Sequence, residues 1–217
     1  MAEAKANSVF PLIDVGVHLI HELEFHAAPP ESGRYVFYPG TTEVPEATAP
    51  RTLGSSFKAI AEVEFTGESQ GVVFAQGSRF GGYSLFVKDG KLMFVYNFLG
   101  IPPEQRLTCD APTFGKHLVG VEFSKESISE KLEVWGQMRL YVDDKVVGEG
   151  KFRIQSGHYA LCGEGLSIGI DSGDSVSSEY KPTFEFTGGR VIKVVFDVAK
   201  DTYVNVEKAM AASMARD

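Results

Sequence analysis

Tryptophan is nearly absent from this chain, which has Trp135 alone among 217 residues, and cysteine is scarce, with only Cys109 and Cys162. A single tryptophan offers no row of the aromatic platforms by which exposed glycan-binding surfaces usually announce themselves. Two cysteines so far apart cannot build a disulfide scaffold and read as free thiols in a reducing compartment. Dense basic clusters are missing as well. With a formal charge of −8, the chain carries no electrostatic footprint for a phosphate backbone, so nucleic acid is not an expected partner. No apolar run approaches the roughly 20 residues of a bilayer span. Pro11, Asp14 and His18 interrupt the N-terminal stretch where a secretory leader would hold its apolar centre. These absences lead to the expectation of a soluble, cytoplasmic protein without a membrane partner.

What is present favours strands. Hydrophobic residues make up 43% and charged residues 23%, an ordinary globular balance, and the chain holds 23 glycines and 16 phenylalanines. Aromatics suit pleated surfaces and glycine supplies the positive φ of tight turns. From Phe57 onward, FKAIAEVEF, GVVFAQ, YSLFVK, KLMFVYNF, KHLVGVEF, GQMRLYVDD, KVVGEGKF, LSIGI, FEFTG and RVIKVVFDV are runs of strand length separated by turn residues. Such a succession predicts an antiparallel sandwich or jelly roll. VKDGKL and VDDKVV predict hairpins turning at Asp89–Gly90 and at Asp143–Asp144. Ala27 to Ser56, rich in proline, reads as extended loop. In the tail NVEKAMAASMARD, Val206, Met210 and Met214 recur with helical spacing, predicting a short helix. The expected organisation is an N-terminal extension over 1–33, a sandwich over 34–198 and a tail with a short helix over 199–217.

Several motifs carry chemistry on paper. GSRFGG, Gly77 to Gly82, has the glycines of a phosphate loop but leads into a strand rather than a helix, so no helix N-terminus faces a phosphate. A tight turn presenting Arg79 and Phe80 is the better reading. Glu62 and Glu64 project from the same face of one strand, as a glycosidase pair would, yet Val63 stands between them where a longer acidic signature would carry an aspartate. His18, His21 and His26 have weak metal-ligand spacing. Asp171, Asp174 and Glu179 lie in a serine- and glycine-rich loop that offers oxygen ligands to calcium or simply joins two strands. No metal or other cofactor is expected. KLMFVYNF is apolar on both faces, with Leu92, Phe94, Tyr96 and Phe98 on one side and Met93, Val95 and Asn97 on the other. One side belongs in the core, and the other lies under a covering segment or lines an apolar cavity.

RYVFYPG (Arg34 to Gly40), AQGSRFGGYSLFVKDGKLMFVYNFLG (Ala75 to Gly100), LYVDDKVVGEG (Leu140 to Gly150) and IDSGDSVSSEYKPTFEFTGG (Ile170 to Gly189) resemble, in the same order, the C-terminal accessory region of bacterial arylsulfatases. The resemblance covers about 34 to 198 and implies an all-β, concanavalin A-like jelly-roll sandwich of two antiparallel sheets. A sulfatase further needs a cysteine or serine that matures to formylglycine, followed by proline and arginine at fixed places, and aspartates that bind calcium. Cys109 is followed by DAPTFGK and Cys162 by GEG, so sulfatase activity is not expected and no catalytic residue carries over. The expectation is a protein that binds a small molecule or saccharide on the concave sheet face through Arg79, Tyr83, Met93, Val95 and Asn97. The alternative is a cofactor-independent cyclase, isomerase or lyase acting on a small hydrophobic substrate in the same cavity. Sheet edges and the methionine-bearing tail also allow a homodimer.

Overall fold

A computed structural model of the chain describes residues 33–46, 48–131, 133–156 and 165–201. The expected extension and terminal helix fall almost wholly outside these residues. The described part is an all-β jelly-roll sandwich of ten strands: β1 (Arg34–Phe37), β2 (Phe57–Ser78), β3 (Gly81–Lys88), β4 (Lys91–Asn97), β5 (Gln105–Asp110), β6 (Phe114–Ile128), β7 (Glu133–Val142), β8 (Lys145–Gln155), β9 (Leu166–Ile168) and β10 (Thr187–Val198). One sheet runs β1-β10-β2-β6-β7-β8 and the other β9-β2-β3-β4-β5, with every pairing antiparallel.

β2 belongs to both sheets. Its first half pairs with β6 and β10, and its second half, from Gly71, pairs with β3 and β9. FKAIAEVEF and GVVFAQ, which read as separate strands, are therefore one strand bent between layers. Gly67 and Gly71 allow the bend, with φ of 111° and 112°, conformations that a side chain would strain. Alternation along β2 builds the core, because Phe57, Ala59, Ala61, Val63 and Phe65 are all buried while Lys58, Ile60, Glu62 and Glu64 face outward, half-buried. Val119, Val121 and Phe123 of β6 and Met138 and Leu140 of β7 extend that layer, and Leu85, Leu92, Phe94 and Tyr96 meet it from the second sheet. Each such aliphatic or aromatic side chain contributes about 1.5–3 kcal/mol when fully buried.

The two hairpins turn where expected, with Asp89 and Gly90 at φ of 49° and 71° and Asp143 at 56°. Three further elements differ from the sequence reading. RYVF lies in the proline-rich stretch yet pairs with β10 as β1. QRLTCD forms β5, an edge strand whose polar composition hides it, since only Leu107 is buried. FEFTG is not a strand of its own; its phenylalanines belong to a strap over residues 169–186, and Thr187 and Gly188 open β10.

That strap settles which side of β4 is covered. Leu92, Phe94 and Tyr96 lie in the core between the sheets, while Val95 packs with Val72, Ala75 and Phe86 beneath Val176 and Tyr180. Met93 and Phe184, both half-buried, pack against the same cluster. The second face of the central strand is thus sealed by a covering segment.

A cleft between the strap and the end of the second sheet

The strap is fixed at both ends by backbone bonds. Phe186 N–H donates to Gly169 O at 2.8 Å, Phe184 N–H to Asp171 O at 3.0 Å, and Val72 N–H of β2 to Phe184 O at 3.2 Å. Close passage over β2 is possible because residue 71 is glycine, where a Cβ would lie 2.0 Å from Glu185 O. In the middle of the strap, the Tyr180 ring packs edge-on against Phe86 at 4.9 Å and stacks on Phe184 at 5.1 Å. Its hydroxyl donates to the buried Asp171 carboxylate and sits 3.0 Å from Ser84 Oγ. Burial first, and then the adjacent Asp171 charge, push the Tyr180 pKa well above its ordinary value.

Where the strap runs past the end of the second sheet, a cleft of about 560 Å³ opens between it, the β2–β3 turn and the loop after β4. Asn97, the last residue of β4, ties these three segments together. Its amide nitrogen donates to Arg79 O at 3.0 Å and to Val176 O at 2.9 Å, and its oxygen accepts from Gly100 N–H at 2.9 Å. Asn97 is 5% exposed, so its polar atoms are satisfied by the protein's own backbone, as burial demands.

The polar walls of the cleft are paired across it. Arg79 Nε meets Asp174 Oδ2 at 3.1 Å, and Arg106 Nη1 meets Glu179 Oε1 at 2.6 Å. Glu104 accepts from Ser177 Oγ at 2.7 Å and from Ser178 N–H at 2.8 Å. Ile101, Pro102, Pro103 and Val176 supply apolar surface between these groups. The Arg79 and Arg106 side chains remain 70% and 48% exposed, so their remaining N–H donors face open space. No histidine, cysteine, lysine or tyrosine is among the described lining residues.

Of the residues singled out from the sequence, Arg79 and Asn97 line this cleft. Tyr83, Met93 and Val95 do not. Tyr83 is fully buried between the sheets, its hydroxyl donating to Gln76 Oε1 at 2.7 Å, and burial drives its pKa far up. Val95 and Met93 lie under the strap. Glu104, Arg106, Ser177 and Ser178 were not singled out as site residues; the only sequence signal for Arg106 is a charged residue in a strand too polar to read as one. Glu62 and Glu64 stand on the outer face, paired with Lys193 at 3.3 Å and Arg190 at 2.7 Å. Asp171, Asp174 and Glu179 turn to separate partners, Tyr180, Arg79 and Arg106, instead of converging. His18, His21, His26 and Cys162 lie outside the described residues. Cys109 is a free thiol with its pKa pushed up to about 11, chiefly by burial.

No family model matches the chain, and no curated protein matches it. Among solved structures it is similar to the CBM40 of the Ruminococcus gnavus IT-sialidase bound to alpha2,6 sialyllactose, with 13% identity over 80% of this chain and 93% of that one and a TM-score of 0.48. It is also similar to domains LG4-5 of the mouse laminin alpha1 chain, with 12% identity over 77% of this chain and 39% of that one and a TM-score of 0.42. A third likeness is to the native heptameric SAP-like pentraxin of Limulus polyphemus, with 12% identity over 81% of this chain and 79% of that one and a TM-score of 0.34. At these values the likeness is one of broad shape.

Proposed function

We propose that this protein is a non-catalytic binding domain, related to the arylsulfatase accessory region, that holds a small polyhydroxylated molecule or glycan in the cleft beside the strap. The observation that carries this reading is the lining. Donors from Arg79 and Arg106 alternate with acceptors from Glu104 and Asp174 around apolar walls from Ile101, Pro102 and Val176. A sugar hydroxyl both donates and accepts, and planar guanidinium and carboxylate groups grip neighbouring hydroxyls in pairs. Apolar walls suit the C–H faces of a ring. Because each arginine already faces a carboxylate, a neutral polar ligand meets both signs of charge without leaving either uncompensated. Transformation of the ligand is less well supported. The buried carboxylate of the region, Asp171, is held by Tyr180 inside the strap's own packing, and the cleft's carboxylates are engaged by Arg79 and by the strap's serines.

A glycan array probed with the purified chain tests the reading. It predicts retention of a defined set of saccharides and a loss of about 10- to 100-fold for Arg106→Gln, the worth of a hydrogen bond from a charged donor. Retention of no saccharide, or equal retention by the variant, contradicts it.

A further inference from the structure

The cleft has an apolar neighbour. Phe80 is 60% exposed, Leu99 49% and Ile101 48%. Phe80 lies in the β2–β3 turn, and the other two flank Gly100 in the loop after β4. These loops touch at Gly100, where a Cβ would sit 2.9 Å from Arg79 O and 3.5 Å from Phe80 Cα. The three exposed side chains are therefore carried on two touching loops, a ridge beside the cleft that Ile101 also lines. The ridge is also held in place. Phe80 N–H donates to Ser78 Oγ at 3.2 Å, Ile101 N–H to Phe98 O at 2.9 Å, and Leu99 N–H to Gln155 Oε1 at 3.4 Å. The Arg79 guanidinium lies 5.1 Å from the centre of the Phe80 ring, and the Asn97 amide binds both loops.

Large apolar side chains scattered singly on a surface need no explanation, but three carried on two adjoining, hydrogen-bonded loops do. Keeping three of them in water against a polar, charge-paired cleft costs solvation unless something covers them. The cleft and the ridge share Ile101, Gly100 and Arg79, so one occupant spans both. We infer that the ligand is amphipathic: a hydroxyl-rich head that enters the cleft, joined to an alkyl or aryl portion that lies across Phe80, Leu99 and Ile101. This rests on the binding reading above and names the ligand class for the same site, a glycoside or polyol with a hydrophobic aglycone.

The test prints each saccharide twice on one array, once on an ethylene glycol linker and once as an octyl glycoside. Calorimetry then follows with the methyl and octyl glycosides of the strongest hit, the octyl compound kept below its micelle concentration. Each buried methylene is worth about a 4-fold gain, so cover over even part of the chain predicts octyl binding at least about 30-fold tighter than methyl. In Phe80→Ser/Leu99→Asn, two exposed replacements checked for folding by thermal melt, that ratio falls below about 3-fold. Equal affinity for methyl and octyl in the wild type overturns this inference and leaves the saccharide reading standing. Absence of binding on both prints removes the reading underneath it. Concentration-dependent sedimentation of the wild type that disappears in the double variant assigns the ridge to a second copy of the chain and also overturns the inference.

Discussion

His117, on β6, sits between two oxygens, with Nδ1 3.0 Å from Asp143 Oδ2 and Nε2 3.0 Å from Phe114 O. Asp143 also accepts from Leu118 N–H at 3.1 Å, so one turn aspartate joins the β7–β8 hairpin to β6. The hydrogen bond to Asp143 raises the His117 pKa, and the hydrogen bond from His117, followed by that from Leu118, lowers the Asp143 pKa. The signs give a window. A raised histidine adds stability that is fully present below its ordinary value of 6.5 and is lost as pH rises through the folded value. A lowered aspartate adds stability that is present above its ordinary value of 3.8 and is lost as pH falls through the folded value. Urea midpoints are therefore expected to carry a small contribution from this pair that is greatest between about pH 4 and 6.5. Asp143→Asn removes the decline above that window and returns the His117 proton titration, followed by NMR, toward 6.5. A His117 titration unmoved by the substitution contradicts the assignment. Single residues also mark how far the sequence could be read. Asn97 was identifiable as a lone amide on the second face of an apolar strand, whereas the acceptors of its amide nitrogen come from positions 18 and 79 residues away, which local pattern does not encode. Tyr83 read as a ligand contact on the concave sheet face, but strand alternation turns it into the core.

At the scale of elements, the strap accounts for a strand that is apolar on both faces. Alternation in KLMFVYNF left the second face of β4 either under a covering segment or lining an apolar cavity, and the cover itself was hidden in SVSSEYKPTFEF, whose first part reads as loop and whose FEF reads as the start of a strand, although its backbone pairs in only a few places. β2 was misread for the complementary reason. Thr66 to Gly71 looks like a break between strands, but the glycines there bend one continuous strand from the first sheet into the second. The strap's grip is concentrated at Tyr180. Tyr180→Phe keeps the ring packing on Phe86 and Phe184 but leaves the buried Asp171 and Ser84 short of a partner. The expected cost is about 1–3 kcal/mol in urea unfolding, with Tyr180→Ala costing about 3–5 kcal/mol because the ring is lost too. A Tyr180→Phe variant as stable as the wild type would show that the hydroxyl contributes nothing to holding the strap down.

For the whole molecule, the jelly-roll sandwich was legible from the succession of short apolar runs and the turn residues between them, whereas the cleft was not. A site assembled from the β2–β3 turn, the loop after β4, the start of β5 and the strap draws on four separated stretches, and only their folding places Arg106 opposite Glu179 and Glu104 opposite Ser177. The sequence reading looked instead to the sheet face, which the strap occupies. The central claim, that the ligand sits between the strap and the end of the second sheet, is tested most directly by amide hydrogen exchange on the wild-type chain with and without the saccharide that the array retains most strongly. The account predicts slowed exchange confined to Arg79–Phe80, the non-proline amides of 97–106 and Asp174–Ser178. Slowed exchange centred instead on the outer face of the first sheet, or on the groove formed by Pro39, Gly40 and Arg190, would contradict it.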